Sequence, residues 1–430
     1  MTERVAVVAP EPEALAEAVR EAGGEPFGVR IPEYPAGWGV ALVREWIADR
    51  LEIELGALAP DALVFDGGSP AEVAGVLAAG VRLDLPAAHA GSTDAATASV
   101  FDAAVAALGF APLGSASFSA EKERLTAAVG AALGAVGEKG LSAKRLVDSF
   151  SLANALRVGV SLGAGPETLV HLAALGREAE VVGFPRMMRV LTPETPAVTH
   201  PGSGWYRSVG FGGLLGHLEG SLHDARTVAG PLKSFATDPE AEPPAKEAYT
   251  CEFVRARASG AEVLCRVPAG VDEVSGICRV FSSEAVAVAA VEDLDGKPEE
   301  AVFLVVRGSG AGGGPGLMVL GELGEAIRAL GLSGRVSVLT DGLAPDATVE
   351  SWASAFTPEA VSGGVIGRLA DGDLFRVDLA EDRMLTSVTA EEISGRRGFR
   401  RPARRDRGLA AYAQRYAKSS LPAFEGATFA

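Results

Sequence analysis

RVAVVA, residues 4–9, runs directly into EPEALAEAVREAGG, residues 11–24, and this pair decides the class of the N-terminal half. Five apolar residues in a row after Arg4 predict a buried strand. In the segment that follows, Ala14, Leu15, Ala18, Val19 and Ala22 recur at helical spacing, and Gly23-Gly24 supplies a stop. A strand feeding a helix predicts an α/β opening. Outward from there, residues 61–65 (DALVF) predict a second strand, 71–80 a helix and 83–89 a short strand. Helical segments are expected at 98–108, 120–136 and 143–162, whose Ala, Leu and Val content suits close helix packing.

Residues 237–246 (TDPEAEPPAK) are Pro- and Glu-rich without periodicity, and so predict a linker. Beyond it the pattern changes to short strands, at 251–255, 262–266, 276–281, 301–306, 335–339 and 374–378, with a helix at 320–330. The expected fold class is therefore α/β: an N-terminal α/β domain over 1–236, a linker at 237–245, a β-rich, barrel-like domain over 246–395, and a basic helical tail over 396–430. Residues 393–418 hold nine basic residues and one acidic residue. Such a run most often forms a solvated or subunit-contact helix. No internal repeat of solenoid period is visible.

The 430 residues carry a formal charge of −17, 48% are apolar and only 6% are aromatic. The apolar fraction excludes general disorder. The negative charge and scarce aromatics argue against nucleic acid or an anionic membrane as partner. No window reaches the roughly 18 uninterrupted apolar residues of a spanning helix. The start, MTERVAVVAP, lacks the apolar core of a secretory signal. Together with three cysteines in no CxxC spacing (Cys251, Cys265, Cys278), this predicts a cytoplasmic protein with free thiols.

Motifs of residue chemistry are sparse. Residues 308–313 (GSGAGG) match GxGxxG after an apolar strand, but Gly314-Pro315-Gly316 prolongs the loop and no Lys-Ser/Thr follows. Backbone N–H groups approaching an anion suit this loop better than a dinucleotide does, with Gly310, Gly313, Gly314 and Thr340 as candidate ligand-binding residues. His171 lies in a helical pattern without HExxH, and the five histidines, His89 among them, do not cluster at metal-ligand spacing. A histidine so placed is ordinarily a core or surface residue. Asp341 ends a strand, where a carboxylate can bind a ligand or make a turn.

An ordered set of weak motifs adds to this. It comprises Thr340-Asp-Gly342, Thr357-Pro-Glu-Ala360, Gly363-Gly364-Val-Ile-Gly367, Asp371-Gly-Asp373, Val377-Asp378 and Glu391-Glu392 through Arg396-Arg397. In that order the set resembles the C-terminal domain of the dihydroxy-acid dehydratase and 6-phosphogluconate dehydratase family. Upstream, Arg307 with Gly313-Gly-Pro-Gly316, Val280-Phe-Ser-Ser-Glu284, Thr227-Val-Ala-Gly230, Leu169-Val-His-Leu172, Arg44-Glu-Trp-Ile-Ala-Asp49 and Asp61-Ala-Leu-Val64 extend the likeness over nearly the whole chain.

The resemblance implies dehydration of sugar acids or 2,3-dihydroxy acids to 2-keto acids. It implies an iron–sulfur cluster on three cysteines, a magnesium ion, a serine base, a site between two domains and a dimer. This chain departs from that pattern at each position the chemistry needs. The family's Cys-Asp-Lys stretch falls on Ser69-Pro70-Ala71, and the next cluster cysteine falls on or near Ser92. Residues 30–40 (RIPEYPAGWGV) stand in place of the first cluster cysteine. Val319 stands for a magnesium carboxylate, Pro345 for the serine base and Glu167 for an Asn. No cysteine precedes Cys251, and a serine hydroxyl does not replace a thiolate on iron.

The expectation is a chain with the family scaffold and neither the iron–sulfur cluster nor magnesium. Two readings stay open. One is a degenerate homologue that binds a small hydroxy or keto acid and assembles as a homo-oligomer or with a related dehydratase. The other is a metal-free lyase or isomerase on a hydroxy acid, with Asp94, Glu167, His171, Asp341 and Asp346 as its polar candidates.

Overall fold

The computed structural model describes residues 2–91, 99–112, 121–138, 140–200, 203–239, 242–243, 249–256, 260–292, 301–314, 316–344, 350–400 and 410–430. Contacts divide it into two compact units. The first comprises residues 1–34, 43–164 and 171–246, and the second residues 35–42, 165–170 and 247–430.

In the first unit, strands β1 (Arg4–Ala9), β2 (Glu25–Arg30), β3 (Ala62–Phe65) and β4 (Ala87–His89) form a parallel sheet in the order β2-β1-β3-β4. Val5 to Val8 are fully buried, as expected of a sheet covered on both faces. The first helix, Glu13–Glu21, buries Leu15, Ala16, Ala18 and Val19, whereas Ala14 and Ala22 are exposed. The helical face is thus rotated slightly from the expected one. Helices Val40–Leu58, Pro70–Arg82, Val100–Leu108 and Glu121–Ala135 follow or separate the strands.

The single helix expected over 143–162 is two. A short turn, Ala143–Leu146, ends before Asp148, whose carboxylate accepts the N–H groups of Phe150 and Ser151, each at 2.8 Å, and so starts the helix Ser149–Ser161 afresh. A helical subcore follows, with Leu162, Trp205, Phe211, Leu214, Leu218 and Leu232 in one buried cluster. The short strands β5 (Arg226–Thr227) and β6 (Gly230–Pro231) close this unit.

The second unit is the expected barrel-like sheet. Its eight strands are β7 (Tyr249–Ala256), β8 (Ala261–Pro268), β9 (Glu273–Phe281), β10 (Val302–Val306), β11 (Val336–Thr340), β12 (Trp352–Thr357), β13 (Leu374–Asp378) and β14 (Arg383–Thr386). Their order is β14-β13-β9-β10-β11-β12-β8-β7, parallel from β9 to β12 and antiparallel at both flanks. The two edge strands lie against each other, and the Arg255 N–H donates to the Asp382 carboxylate at 2.7 Å across that seam. Near-closure removes most of the unpaired edge that an open sheet would expose. Inward residues such as Val263, Cys265, Phe303, Val305, Leu339, Phe356 and Phe375 fill the interior. The helix Ala410–Ser419 and the residues after it belong to this unit: Tyr416 donates to the Ala427 carbonyl at 2.6 Å, and Phe424 packs edge-on to Phe253. Among the described residues no helix is long and apolar enough to cross a membrane.

Candidate functional site

In an open parallel sheet, ligands meet the carboxyl ends of the strands near the point where strand order reverses. Here β1 leads to β2 on one side, and the chain then crosses to β3 on the other. Asp66 follows β3 directly, and His89 ends β4, where the pairing of Phe65 with His89 places the two carboxyl ends side by side. The His89 ring stacks on Phe65 at 4.9 Å. Its Nε2 is buried without a hydrogen-bond partner among the described residues, and lies 3.9 Å from Asp102 Oδ1. Burial pushes the imidazole down to about 4, so His89 is neutral at pH 7. Burial also raises the carboxyls of Asp66 and Asp102, and Arg124, 3.4 Å from Asp66 Oδ2, opposes that rise. A buried neutral imidazole beside two carboxyls of raised pKa and one guanidinium is an acid–base set. None of these four was singled out from the sequence.

The three positions where the resemblance puts Cys-Asp-Lys stand just beyond Asp66. Ser69 caps the helix Pro70–Arg82: its hydroxyl accepts the Glu72 N–H at 3.3 Å, and Glu72 accepts the Ser69 N–H at 2.8 Å. Tyr34 donates to the same Glu72 carboxylate at 3.1 Å. Pro70 takes the first helical position, where a missing N–H costs nothing, and Ala71 is buried. This stretch is thus built as a helix start with no soft donor. Ser92 and Asp94 lie outside the described residues.

The three cysteines do not fit a cluster either. They sit on β7, β8 and β9 and are all buried. Each comes from a different strand, and among the described residues no three His, Cys, Asp or Glu side chains are grouped to hold a metal. Val319, at the position of a magnesium carboxylate, pairs as a backbone bridge with Leu343, and Pro345 and Asp346 lie outside the described residues.

Of the remaining sequence candidates, Glu167 and His171 stand one turn apart on the helix Pro166–Glu178. His171 is fully buried, edge-on to Phe101 at 5.4 Å. The Arg44 guanidinium donates to its Nδ1 at 3.2 Å, which places the imidazole proton on Nε2 when the ring is neutral. Arg44 also pairs with Glu45 at 3.0 Å, and Glu45 with Arg82 at 3.4 Å. His171 therefore stands in a buried ion network of the first unit.

Asp341 anchors the Gly-rich loop of the second unit. Its carboxylate accepts the N–H groups of Gly308 at 3.1 Å, Ser309 at 2.9 Å and Ala360 at 2.9 Å. Burial raises this carboxyl, and those N–H groups oppose the rise. Gly342 donates to the Thr340 hydroxyl at 2.9 Å, and Thr340 is fully buried. The loop does meet an anion, and it is the chain's own. Glu359 accepts the N–H groups of Ala311 at 2.8 Å and Gly312 at 2.9 Å. A Cβ on Gly310 would overlap the Glu359 carboxyl, so glycine is required there for the approach. The Gly314 N–H donates to the Gly310 carbonyl at 2.8 Å and the Gly313 N–H to the same carbonyl at 3.2 Å, which curls the loop. Burial, then the charge of Asp341, push Glu359 up to about 7 against the pull of its N–H donors.

Comparison with known proteins adds family models to this geometry. A model described as dihydroxy-acid/6-phosphogluconate dehydratase N-terminal matches residues 88–231, and its C-terminal counterpart matches residues 263–427. The dihydroxy-acid dehydratase of Pyrococcus furiosus is 30% identical over 312 residues, covering 67% of this chain and 56% of the relative. That of Geobacter metallireducens is 29% identical over 329 residues, covering 72% and 59%. That of Chloroflexus aurantiacus is 28% identical over 494 residues, covering 95% and 88%. The matched stretch thus spans less than two thirds of the length of the Pyrococcus and Geobacter relatives.

Proposed function

This chain belongs to the dihydroxy-acid/6-phosphogluconate dehydratase family, and from that premise we propose that it is a divergent, shortened member without the iron–sulfur and magnesium machinery. The observation that carries the proposal is the Ser69–Glu72 capping box. At the positions of a cluster thiolate, a magnesium carboxylate and a lysine, the chain spends its side chains on starting a helix. Cys251, Cys265 and Cys278 support it, since they are buried on three barrel strands and none stands at a position where the resemblance puts a cluster ligand.

In this reading the protein binds a small hydroxy or keto acid through the Gly-rich loop, with Gly310, Gly313, Gly314 and Thr340 around the ligand carboxylate. The loop's N–H groups hold the Glu359 carboxylate, so such a ligand would bind by taking the place of that carboxylate. Assembly as a homo-oligomer or with a related dehydratase, in the cytoplasm, completes the proposal.

The purified protein is expected to hold no stoichiometric iron or sulfide, even when prepared anaerobically. Near-stoichiometric iron with acid-labile sulfide would sink the reading. In a thermal-shift screen against C4–C7 hydroxy and keto acids, at least one acid is expected to raise the melting temperature, equally with and without magnesium. No shift at millimolar concentrations, or a shift that needs magnesium, would count against it.

The second reading, a metal-free lyase or isomerase, is favoured by the Asp66–His89–Asp102 set. A neutral imidazole can take a proton next to a carboxylate, and a carboxyl of raised pKa can give one to a leaving hydroxyl. Its test is turnover of the acids that score in the screen. The activity must vanish in His89→Gln while the fold, read by circular dichroism, is kept.

A further inference from the structure

The barrel unit has a cavity of about 450 Å³ at the carboxyl ends of β9 and β10, lined by Val280, Arg307, Arg368, Asp371, Arg396 and Arg397. Four guanidiniums thus surround one space in a chain whose formal charge is −17. What each guanidinium is bonded to decides how much of that charge is spent. Arg396 is neutralised, since both its terminal nitrogens reach the Asp373 carboxylate, at 2.9 Å for Nη2. Arg307 is held by carbonyls: its Nη1 donates to Gly367 at 3.1 Å and to Leu369 at 3.0 Å. Arg368 likewise donates through Nη1 to Ile393 at 3.3 Å and Ser394 at 2.6 Å. A carbonyl oxygen fixes a guanidinium in place and leaves its unit charge in force.

Both Nε atoms, of Arg307 and of Arg368, are buried without a hydrogen-bond partner among the described residues. Phe399 lies against the Arg307 guanidinium, 5.6 Å from ring centroid to Cζ, and limits its movement. Arg397 is exposed. Asp371 is the lining carboxylate, and it spends Oδ1 on the Val280 N–H at 2.6 Å. Asp371 and Asp341 act on Arg307 and Asp373 pairs with Arg396, whereas Arg368 and Arg397 bond to no carboxylate among the described residues, which leaves two positive charges without a direct counter-charge there. Like charges gathered in this way repel, and a ligand that brings two negative charges removes the repulsion.

We propose that this cavity is a binding site for a small organic dianion, held by Arg307, Arg368 and Arg397. The space is an open depression with room for an organic anion, at a volume of about 450 Å³. Guanidinium is the group best suited to the task, since its planar fork matches carboxylate and phosphate oxygens two at a time. The negative field of the rest of the chain is screened beyond about 8 Å at physiological salt, so binding depends on these close contacts and weakens as salt rises. The inference rests on the barrel residues alone and stands whether or not the Gly-rich loop binds an acid.

Isothermal titration calorimetry on the full chain at low ionic strength tests it. The probes are 2-oxoglutarate as a dicarboxylate, glucose 6-phosphate as a phosphate monoester, and gluconate as a monoanion of similar size. At least one dianion is expected to bind with one-to-one stoichiometry, and gluconate about tenfold or more weaker, since one of the two charge contacts is lost. Which dianion binds separates a carboxylate ligand from a phosphate ester. Arg368→Gln is expected to weaken binding about tenfold or more. Because Arg368 also anchors residues 393–394, Arg397→Gln serves as the second variant; it is exposed, so its loss of affinity cannot come from unfolding. Absence of dianion binding at millimolar concentration overturns the proposal. So does gluconate binding as tightly as the dianions, or an affinity unchanged in Arg397→Gln.

Discussion

Asp341→Ala is expected to destabilise the barrel unit by about 3 kcal/mol or more, a loss at the upper end for a single substitution. The carboxylate receives N–H groups from Gly308 and Ser309 on one segment and from Ala360 on another, and the residue is 1% exposed. Removing it strands three donors, of which the two buried ones, on Ser309 and Ala360, are each worth roughly 1–3 kcal/mol when left unsatisfied. Against this stands the relief of the carboxylate's own burial. That relief is the smaller effect, because three donors already stand in for most of the water the group gave up.

Asp341→Asn separates the two contributions. Oδ2 accepts from both Gly308 and Ala360, and Oδ1 from Ser309 alone. An amide that keeps its oxygen at the Oδ2 position therefore strands a single donor. Its expected cost is about 1–2 kcal/mol, well below that of the Ala variant. Urea unfolding of both variants measures this. An Ala variant within about 0.5 kcal/mol of the parent would show that Asp341 does not latch the loop. Loss of turnover on a candidate acid without loss of stability would instead return Asp341 to a chemical role.

The elements that could be read in the sequence were those whose own residues carry the signal. RVAVVA at 4–9 and the short apolar runs of the barrel are strands because their residues are buried on sight. Strand β2 was not visible: EPFGVR contains both Pro26 and Gly28, which local preference places outside strands. It forms because it lies at an edge, paired to β1 alone. The break at Asp148 was legible in principle, as Asp with Ser three residues on is a capping signature, yet apolar periodicity on both sides hid it.

The candidate site was far less legible than the fold. Asp66 and His89 meet because β3 and β4 are neighbours in register, and periodicity does not encode which strands pair. The anion expected at the Gly-rich loop was inferred from the loop alone. That Glu359 supplies one follows from the fold, which brings a distant segment onto the loop's N–H groups. The arginine cavity draws on four separate stretches of the barrel unit, each of which holds or adjoins a motif quoted from the sequence, but nothing in the sequence shows that they meet around one space.

Glu359→Gln is expected to gain stability relative to the parent as pH rises, from less stable at pH 5 to more stable at pH 8. The folded carboxyl titrates at about 7 against 4.5 for an unperturbed one. Between those values the folded chain holds a proton that the unfolded chain has released, so stability falls as pH rises. The contribution is fully present below about pH 4.5 and lost above about pH 7, and a shift of this size corresponds to about 3 kcal/mol. Asp341, whose carboxyl is also raised, contributes with the same sign. Carboxylates such as Asp378 and Glu392, held low by their hydrogen bonds, act in the opposite direction. The absolute pH profile therefore mixes the two kinds, and the difference between variant and parent isolates Glu359. At pH 5 the variant is expected to be the less stable, since the amide nitrogen cannot accept the N–H that a carboxyl oxygen accepts from Ala311 or Gly312. By pH 8 the order reverses, because only the parent then buries a charge on the loop beside Asp341. Urea midpoints of both proteins at pH 5, 6, 7 and 8 give the comparison. A difference that stays constant across the range would mean that Glu359 is ionised throughout, and that the loop N–H groups outweigh its burial.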